Sequence, residues 1–192
     1  SPSDLGGAKA LAGDAGLDED AAKLWGQQLH TLLEHLPNLP EQEWADAASS
    51  LLQGLTDNVR HELLSEAKTV LKAPALAHIF APDTLAEVSV SGTVFGHRTR
   101  GIIDRLVVTP DRILAVDFKT NRTVPNDPTE CPEGILRQLG CYANMLEQIY
   151  PKRHIETAVL WTRRPVLMSM PHDLVTAALL RSPRLDVSRD GS

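Results

Sequence analysis

Apolar residues recur along this chain with two periods, and the switch between them divides it. From about Ala21 to Leu36, residues Leu24, Leu29, Leu32, Leu33 and Leu36 fall near helical spacing, and the run stops before Pro37. A second helix is predicted from Glu41 to Gly54, a third from about Asn58 to Lys72 ahead of Pro74, and a short helical turn over Ala75 to Phe80. Near Leu85 the period shortens to two. Ala86-Glu87-Val88-Ser89-Val90-Ser91-Gly92 alternates, with Gly92 read as a turn or bulge into the next strand. From Gly101 to Thr120, two apolar, β-branched runs flank Thr109-Pro110-Asp111-Arg112, whose proline and aspartate suit a turn, so a β-hairpin is predicted. After a loop from Asn121 to Pro132, a helix is predicted over Glu133 to Tyr150, its buried stripe made by Ile135, Leu139, Tyr142, Leu146 and Ile149. Two further strands, Ile155 to Trp161 and Val166 to Met170, surround Arg163-Arg164-Pro165, and a closing helix over about 172–180 precedes a polar tail, 183–192. Residues 1–20, rich in Gly, Ala and Asp without periodicity, read as a linker or flexible arm.

The hairpin carries the chemistry. Whether its loop is Pro110 and Asp111 alone or the four residues Thr109 to Arg112, the pairing sets Asp104 directly across from Asp117. Opposed side chains lie roughly 5 Å apart at Cβ, where like charges repel. Lys119 is two residues beyond Asp117 and points to the same face. Ile103, Val107, Leu114, Val116 and Phe118 are assigned to the other face, so the strands are apolar on both sides and belong at the centre of a covered sheet. Strand-end salt bridges to Arg100, Arg105 or Lys119 are one resolution of the repulsion. A divalent cation such as Mg2+ or Mn2+ held by the carboxylates is the other, and strands this apolar favour it because an unpaired buried carboxylate is costly.

Composition narrows the setting. At 192 residues and 42% hydrophobic, the chain suits one domain with a sizeable core. No apolar run approaches the roughly 20 residues a membrane span needs, so no membrane association is expected. Its two cysteines, Cys131 and Cys141, point to a reducing, cytoplasmic setting, and a four-cysteine zinc or iron–sulfur site cannot be built from them. A formal charge of −6 is unusual for a stand-alone nucleic-acid binder. It argues for a fragment whose partner surfaces supply positive potential or for no nucleic acid at all, and the Ser-Pro-Ser start favours the fragment.

Gly101-Ile102-Ile103-Asp104-Arg105-Leu106 followed by Val116-Asp117-Phe118-Lys119-Thr120 resembles the core motif of the PD-(D/E)XK nuclease superfamily. Gln138-Leu139-Gly140-Cys141-Tyr142 matches the Gln-x-x-x-Tyr helix of its RecB and AddA helicase–nuclease branch, and Gly26 to His30 resembles that branch's Gly-x-x-x-His helix. Ser3-Asp4-Leu5-Gly6-Gly7-Ala8-Lys9 and Glu34-His35-Leu36-Pro37 add to the likeness. The resemblance implies an α/β fold, a restriction-endonuclease-like mixed sheet flanked by helices, with an N-terminal helical extension. The nuclease domain would span 21–182, its helical part about 21–80 and its sheet core about 85–170.

The resemblance also implies roles. His30, Asp104 and Asp117 would ligate Mg2+ or Mn2+ with the backbone carbonyl of Phe118, and Lys119 would be the catalytic lysine. Gln138 and Tyr142, four apart on one helix face, would position the scissile phosphate or brace the site. Taken alone His30 reads as a surface or capping histidine; the motif reverses that, with His78 a second candidate. Glu87 stands where related nucleases carry an acidic residue and would back the ligands. Arg105 and Arg137 suit either a DNA phosphate or a carboxylate partner. Trp25 precedes Gly26 where something smaller or basic is expected, and no iron–sulfur cluster is expected. The implied activity is exonucleolytic hydrolysis of single-stranded DNA during double-strand break processing, beside an ATP-driven helicase motor and an AddB-type partner subunit. Two other readings stay open: a catalytically silent DNA- or partner-binding module of the same fold, and a different metal enzyme using His30 and the aspartates as a facial triad for iron.

Overall fold

The computed structural model describes residues 19–181, so the expected arm, the tail and the motif of Ser3 to Lys9 lie outside the described residues. Among them, five strands form one sheet in the order β1 (Leu85–Val94), β2 (His97–Val108), β3 (Arg112–Lys119), β4 (His154–Trp161), β5 (Val166–Met170). Neighbours run antiparallel except β3 and β4, which are parallel and joined through helix α4 (Glu133–Ile149). The sheet is mixed, and its central strands β3 and β4 are covered on both faces. None of the described helices is long and apolar enough to cross a membrane.

The alternation of β3 shows how the two faces are built. Ile113 and Ala115 enter a core with Ile135, Leu139 and Leu146 of α4. Leu114, Val116 and Phe118 enter a second core with the N-terminal helices α1 (Glu19–His35), α2 (Trp44–Leu51) and α3 (Asp57–Leu71). The closing helix α5 (His172–Leu180) packs on the outer side of α4, which is why α4 is buried almost all round. Gly140 permits that contact. A Cβ there would collide with the Val175 carbonyl and lie 2.9 Å from Leu179 Cβ.

Five details differ from the sequence expectation. Leu24 is exposed, because it sits about 140° around the helix from Leu29, whereas Trp25 falls on the buried stripe instead. Ile149, in the last turn of α4, is exposed. The second predicted helix resolves into a 3-10 turn (Glu41–Glu43) and α2, which ends at Leu51. Gly92 is neither turn nor bulge. It lies within β1 against α4, a Cβ there meeting Met145 Cγ at 2.9 Å, and the turn is at Phe95 and Gly96, both at positive φ.

The fifth concerns Ile103. It packs with α4, in the same core as Leu106 three residues on, although strict alternation assigns it to the other face. The pairing of β1 with β2 skips Glu87 and Asp104, and Glu87 has φ +51°, in the left-handed region disfavoured for side chains with a Cβ. Alternation is therefore broken at Asp104, so Ile103 faces α4 while Arg105 faces α1. Both cysteines are free and buried, and burial pushes each thiol up to about 11.

The Gly140 contact predicts that Gly140→Val, which also adds β-branching, lowers stability by about 1–3 kcal/mol. Urea unfolding followed by far-UV circular dichroism measures it, and an unchanged midpoint would show that α5 does not depend on this approach.

Candidate active site

The C-terminal end of β3, the break in β2 and one face each of α1 and α4 meet at a single place. The strand ladder pairs Arg105 with Val116 and ends there, leaving Asp104 across from Asp117 as the register requires. Asp104 Oδ2 accepts the Phe118 N–H at 2.5 Å, so its side chain carries the tie between strands one step further. Its Oδ1 lies 3.3 Å from His30 Nδ1. Glu87, turned by its unusual backbone, completes a trio: one ligand atom from each of His30, Glu87 and Asp104 lies within 4.8 Å of the others.

Asp117 and Lys119 stand beside this trio. Lys119 Nζ is 2.6 Å from Asp117 Oδ2 and donates to Gln138 Oε1 at 3.2 Å. Gln138 Nε2 donates in turn to the Tyr142 hydroxyl at 3.1 Å, which donates to the Ile102 carbonyl at 2.5 Å. Two residues of α4 thus hold the lysine and anchor to β2 beside Asp104. Gln138 and Tyr142 are both buried and spend these hydrogen bonds within the chain, bracing Lys119.

The charges are crowded. Burial raises the Asp117 carboxyl, and Asp104 beside it adds to the rise despite the Lys119 ammonium. Asp104 goes the other way: burial would raise it, but His30, Lys119 and the Phe118 N–H outweigh that and hold it low. Burial also raises Glu87, reinforced by Asp104. Burial alone would lower His30 and Lys119, and the adjacent carboxylates raise both. Neighbouring carboxyls pushed in opposite directions are what burial and unequal charge partners produce when acids share one site.

The family model of the PD-(D/E)XK nuclease superfamily matches residues 5–170. The chain belongs to this superfamily. Among solved structures, a candidate exonuclease from Eubacterium rectale superposes with a TM-score of 0.54 at 12% sequence identity, over 88% of this chain and 65% of its own. This chain thus spans less than two thirds of that protein. The structure of SSO0001 gives a TM-score of 0.36 at 14% identity, over 85% of this chain and 84% of that one. No curated protein matches the chain in sequence.

PD-(D/E)XK nucleases use divalent metals, and the residues present suit one. Asp117 is buried with the Lys119 ammonium 2.6 Å from its Oδ2, and the Asp104, Glu87 and His30 ligand atoms gather beside it. Carboxylate oxygens with one imidazole are a donor set that a divalent cation accepts. Glu87 stands closer than sequence reasoning placed it, among the direct ligand candidates and not behind them.

Arg105 is a correction. It is 3% exposed, donates to the Leu33 carbonyl at 2.6 Å and lies 5.1 Å from the Phe80 ring centroid, so it braces α1 and is not offered to a phosphate. Arg137 is half-buried and lies 3.6 Å from Glu133. Phe118 contributes its ring edge-on to His30, centroids 5.5 Å apart. His78 is exposed and outside the trio.

Sequence reasoning missed Glu66. Its carboxylate accepts from Trp25 Nε1 at 3.0 Å and Thr162 Oγ1 at 2.7 Å, and pairs with Arg163 at 3.2 Å. Thr162 N–H also donates to the Lys119 carbonyl at 3.0 Å. Glu66 therefore links the helix bearing His30 to the strand bearing Lys119. The available signal was an acid on the buried stripe of α3, between Leu63 and Ala67. The same network explains Trp25, whose indole N–H needs this acceptor.

Proton linkage gives the prediction. Asp117, Glu87 and His30 all have raised folded-state values, so the metal-free fold holds more protons than the unfolded chain and loses stability as pH climbs through them. A bound cation takes the place of those protons. The rise in Tm produced by Mn2+ should therefore widen from about pH 5 to about pH 8, and Asp104→Asn should abolish it. Thermal scans with and without Mn2+ measure this; an equal rise in Asp104→Asn would place the ion elsewhere.

Proposed function

We propose that this chain is a metal-dependent deoxyribonuclease domain that hydrolyses phosphodiester bonds of single-stranded DNA from an end. The observation that carries the reading is the pairing of Asp117 with Lys119 at 2.6 Å, beside Asp104, at the end of a strand of this superfamily's fold.

His30, Glu87, Asp104 and Asp117, with the Phe118 carbonyl, would hold Mg2+ or Mn2+. When bound, the ion supplies Lewis acidity toward the phosphate and lowers the pKa of water. The rest follows from the chain. Lys119 stays protonated between two carboxylates, so its ammonium is available to balance negative charge developing on the phosphate. Gln138 fixes that ammonium through one hydrogen bond, and Tyr142 fixes Gln138. Buried Phe118, packed against His30 and 6.0 Å from Phe80, keeps water from the inner side of the site.

Support for the narrower helicase–nuclease branch comes from the two helix motifs. Gln138 and Tyr142 brace Lys119, and α1 passes the end of β3 at Gly26, where an added Cβ would be in ordinary contact with Thr120 Oγ1 at 3.4 Å, four residues before His30 meets Asp104. In this reading the domain belongs to an AddA-type helicase–nuclease, works in the cytoplasm with an AddB-type partner subunit, and trims DNA ends during double-strand break repair.

End-labelled single-stranded and duplex DNA, incubated with Mn2+ and the purified chain, test the activity. Cleavage of the single strand should stop on chelation and fall by about 100-fold or more in Lys119→Ala and in Asp117→Ala. Equal cleavage by the unchanged chain and both variants would overturn the assignment.

A further inference from the structure

The β1–β2 hairpin extends beyond the rest of the sheet. From His97 to Asp104, strand β2 has β1 on one side, and pairing with β3 begins at Arg105. One face of this two-stranded arm is covered by α4, through Val90, Gly92, Val94 and Ile103. The register assigns the opposite face to Ser89, Ser91, Thr93, Arg98, Arg100 and Ile102, and all six are exposed. That face carries two cations and no acid, in a chain with 25 acidic against 19 Lys and Arg residues. Among the described residues neither Arg98 nor Arg100 has an ion-pair or hydrogen-bond partner for its guanidinium. Local acids therefore do not account for them.

The direction of the arm matters as much as its charge. Arg98, Arg100 and Ile102 alternate down one side of β2 to Asp104, where the strand breaks and the ligand candidates gather. At about 3.3 Å per residue, Arg100 stands about 13 Å and Arg98 about 20 Å from Asp104 along the strand. At the far end, Phe95 is 53% exposed with φ +50°, a costly backbone for a bulky side chain that is left in solvent.

We propose that the exposed face of this arm is a track for single-stranded DNA. Arg98 and Arg100 hold successive parts of the phosphate backbone, Phe95 stacks on a base at the tip, and the strand is led down β2 to Asp104. This rests on the nuclease reading of the site at the arm's base, and it adds the surface that delivers substrate there. Guanidinium groups suit phosphate oxygens, and an exposed aromatic suits any base, so the track holds DNA without reading sequence.

Binding and cleavage are tested separately. With the ion chelated, anisotropy of a labelled oligonucleotide of about twenty nucleotides is followed across a salt series. Arg98→Ser/Arg100→Ser should bind about tenfold or more weakly at low salt, with the slope of log K against log salt shallower by about 1.4. Arg98→Lys/Arg100→Lys should restore the slope, and Phe95→Ala should weaken binding severalfold while leaving it unchanged, since stacking releases no counterions. With Mn2+, the serine variant should raise KM on the long strand, leave kcat unchanged, and match the unchanged chain on a substrate of about four nucleotides. Its Tm should also match, because both arginines are solvated. Unaltered affinity and slope in the serine variant, or an equal loss on long and short substrates, would overturn the track. Salt-dependent binding through these arginines without cleavage by the unchanged chain would support the track while counting against the nuclease reading.

Discussion

Two carboxylates brought together at the end of a buried strand create the constraint around which this molecule is arranged. Asp104 and Asp117 occupy adjacent strands at the level where backbone pairing stops, and water is largely excluded from both. Repulsion there is tolerable because each carboxylate has a partner: the His30 imidazole at Asp104 and the Lys119 ammonium at Asp117. Those neighbours are themselves held, His30 by the ring of Phe118 and Lys119 by Gln138. Three carboxylates, Glu87, Asp104 and Asp117, gather around these two groups, and burial together with the charge of Asp104 raises the Asp117 and Glu87 carboxyls.

The surrounding architecture keeps that arrangement from relaxing. A carboxylate pair on a flexible loop would separate; these sit on strands covered by helices on both faces, in the close-packed setting where small shifts are costly. The break in alternation at Asp104 serves the same end. It lets β2 send Ile103 into one core and Arg105 into the other, leaving Asp104 between them at the site. The left-handed backbone of Glu87 on the neighbouring strand is the conformational cost of bringing a third acid there. Outside the ligand trio, Glu66 gathers Trp25, Thr162 and Arg163, and so ties the helix bearing His30 to the strand bearing Lys119.

Much of this was legible in the sequence. The helical N-terminal part and the central covered strands follow from the change of period near Leu85 and from strands apolar on both faces, whereas the mixed, helix-flanked sheet was implied by the resemblance of the Asp104 and Asp117 motifs to the superfamily core. The register opposing Asp104 to Asp117 follows from the turn, whichever loop length is taken; Thr109 N–H closes it on the Arg112 carbonyl at 2.9 Å. What could not be read depends on contacts distant in sequence. Arg105 looked available because its partner, the Leu33 carbonyl, lies 72 residues away. Glu66 and Thr162 are separated by 96 residues and share no local pattern. Ile103 was misassigned because alternation is a rule about regular strands, and this strand is irregular where the chemistry sits. Gly92 shows a similar limit: from sequence a glycine in a strand suggests a bend, but here it makes room for Met145 of the helix above.

The most direct test of this account is to locate the ion. Crystals of the chain grown with Mn2+ and measured at the manganese absorption edge should show an anomalous peak within about 2.0–2.6 Å of carboxylate oxygens of both Asp104 and Asp117. A peak at a site that neither aspartate touches, or none at saturating Mn2+, would contradict the claim that these opposed carboxylates are held together to bind a metal.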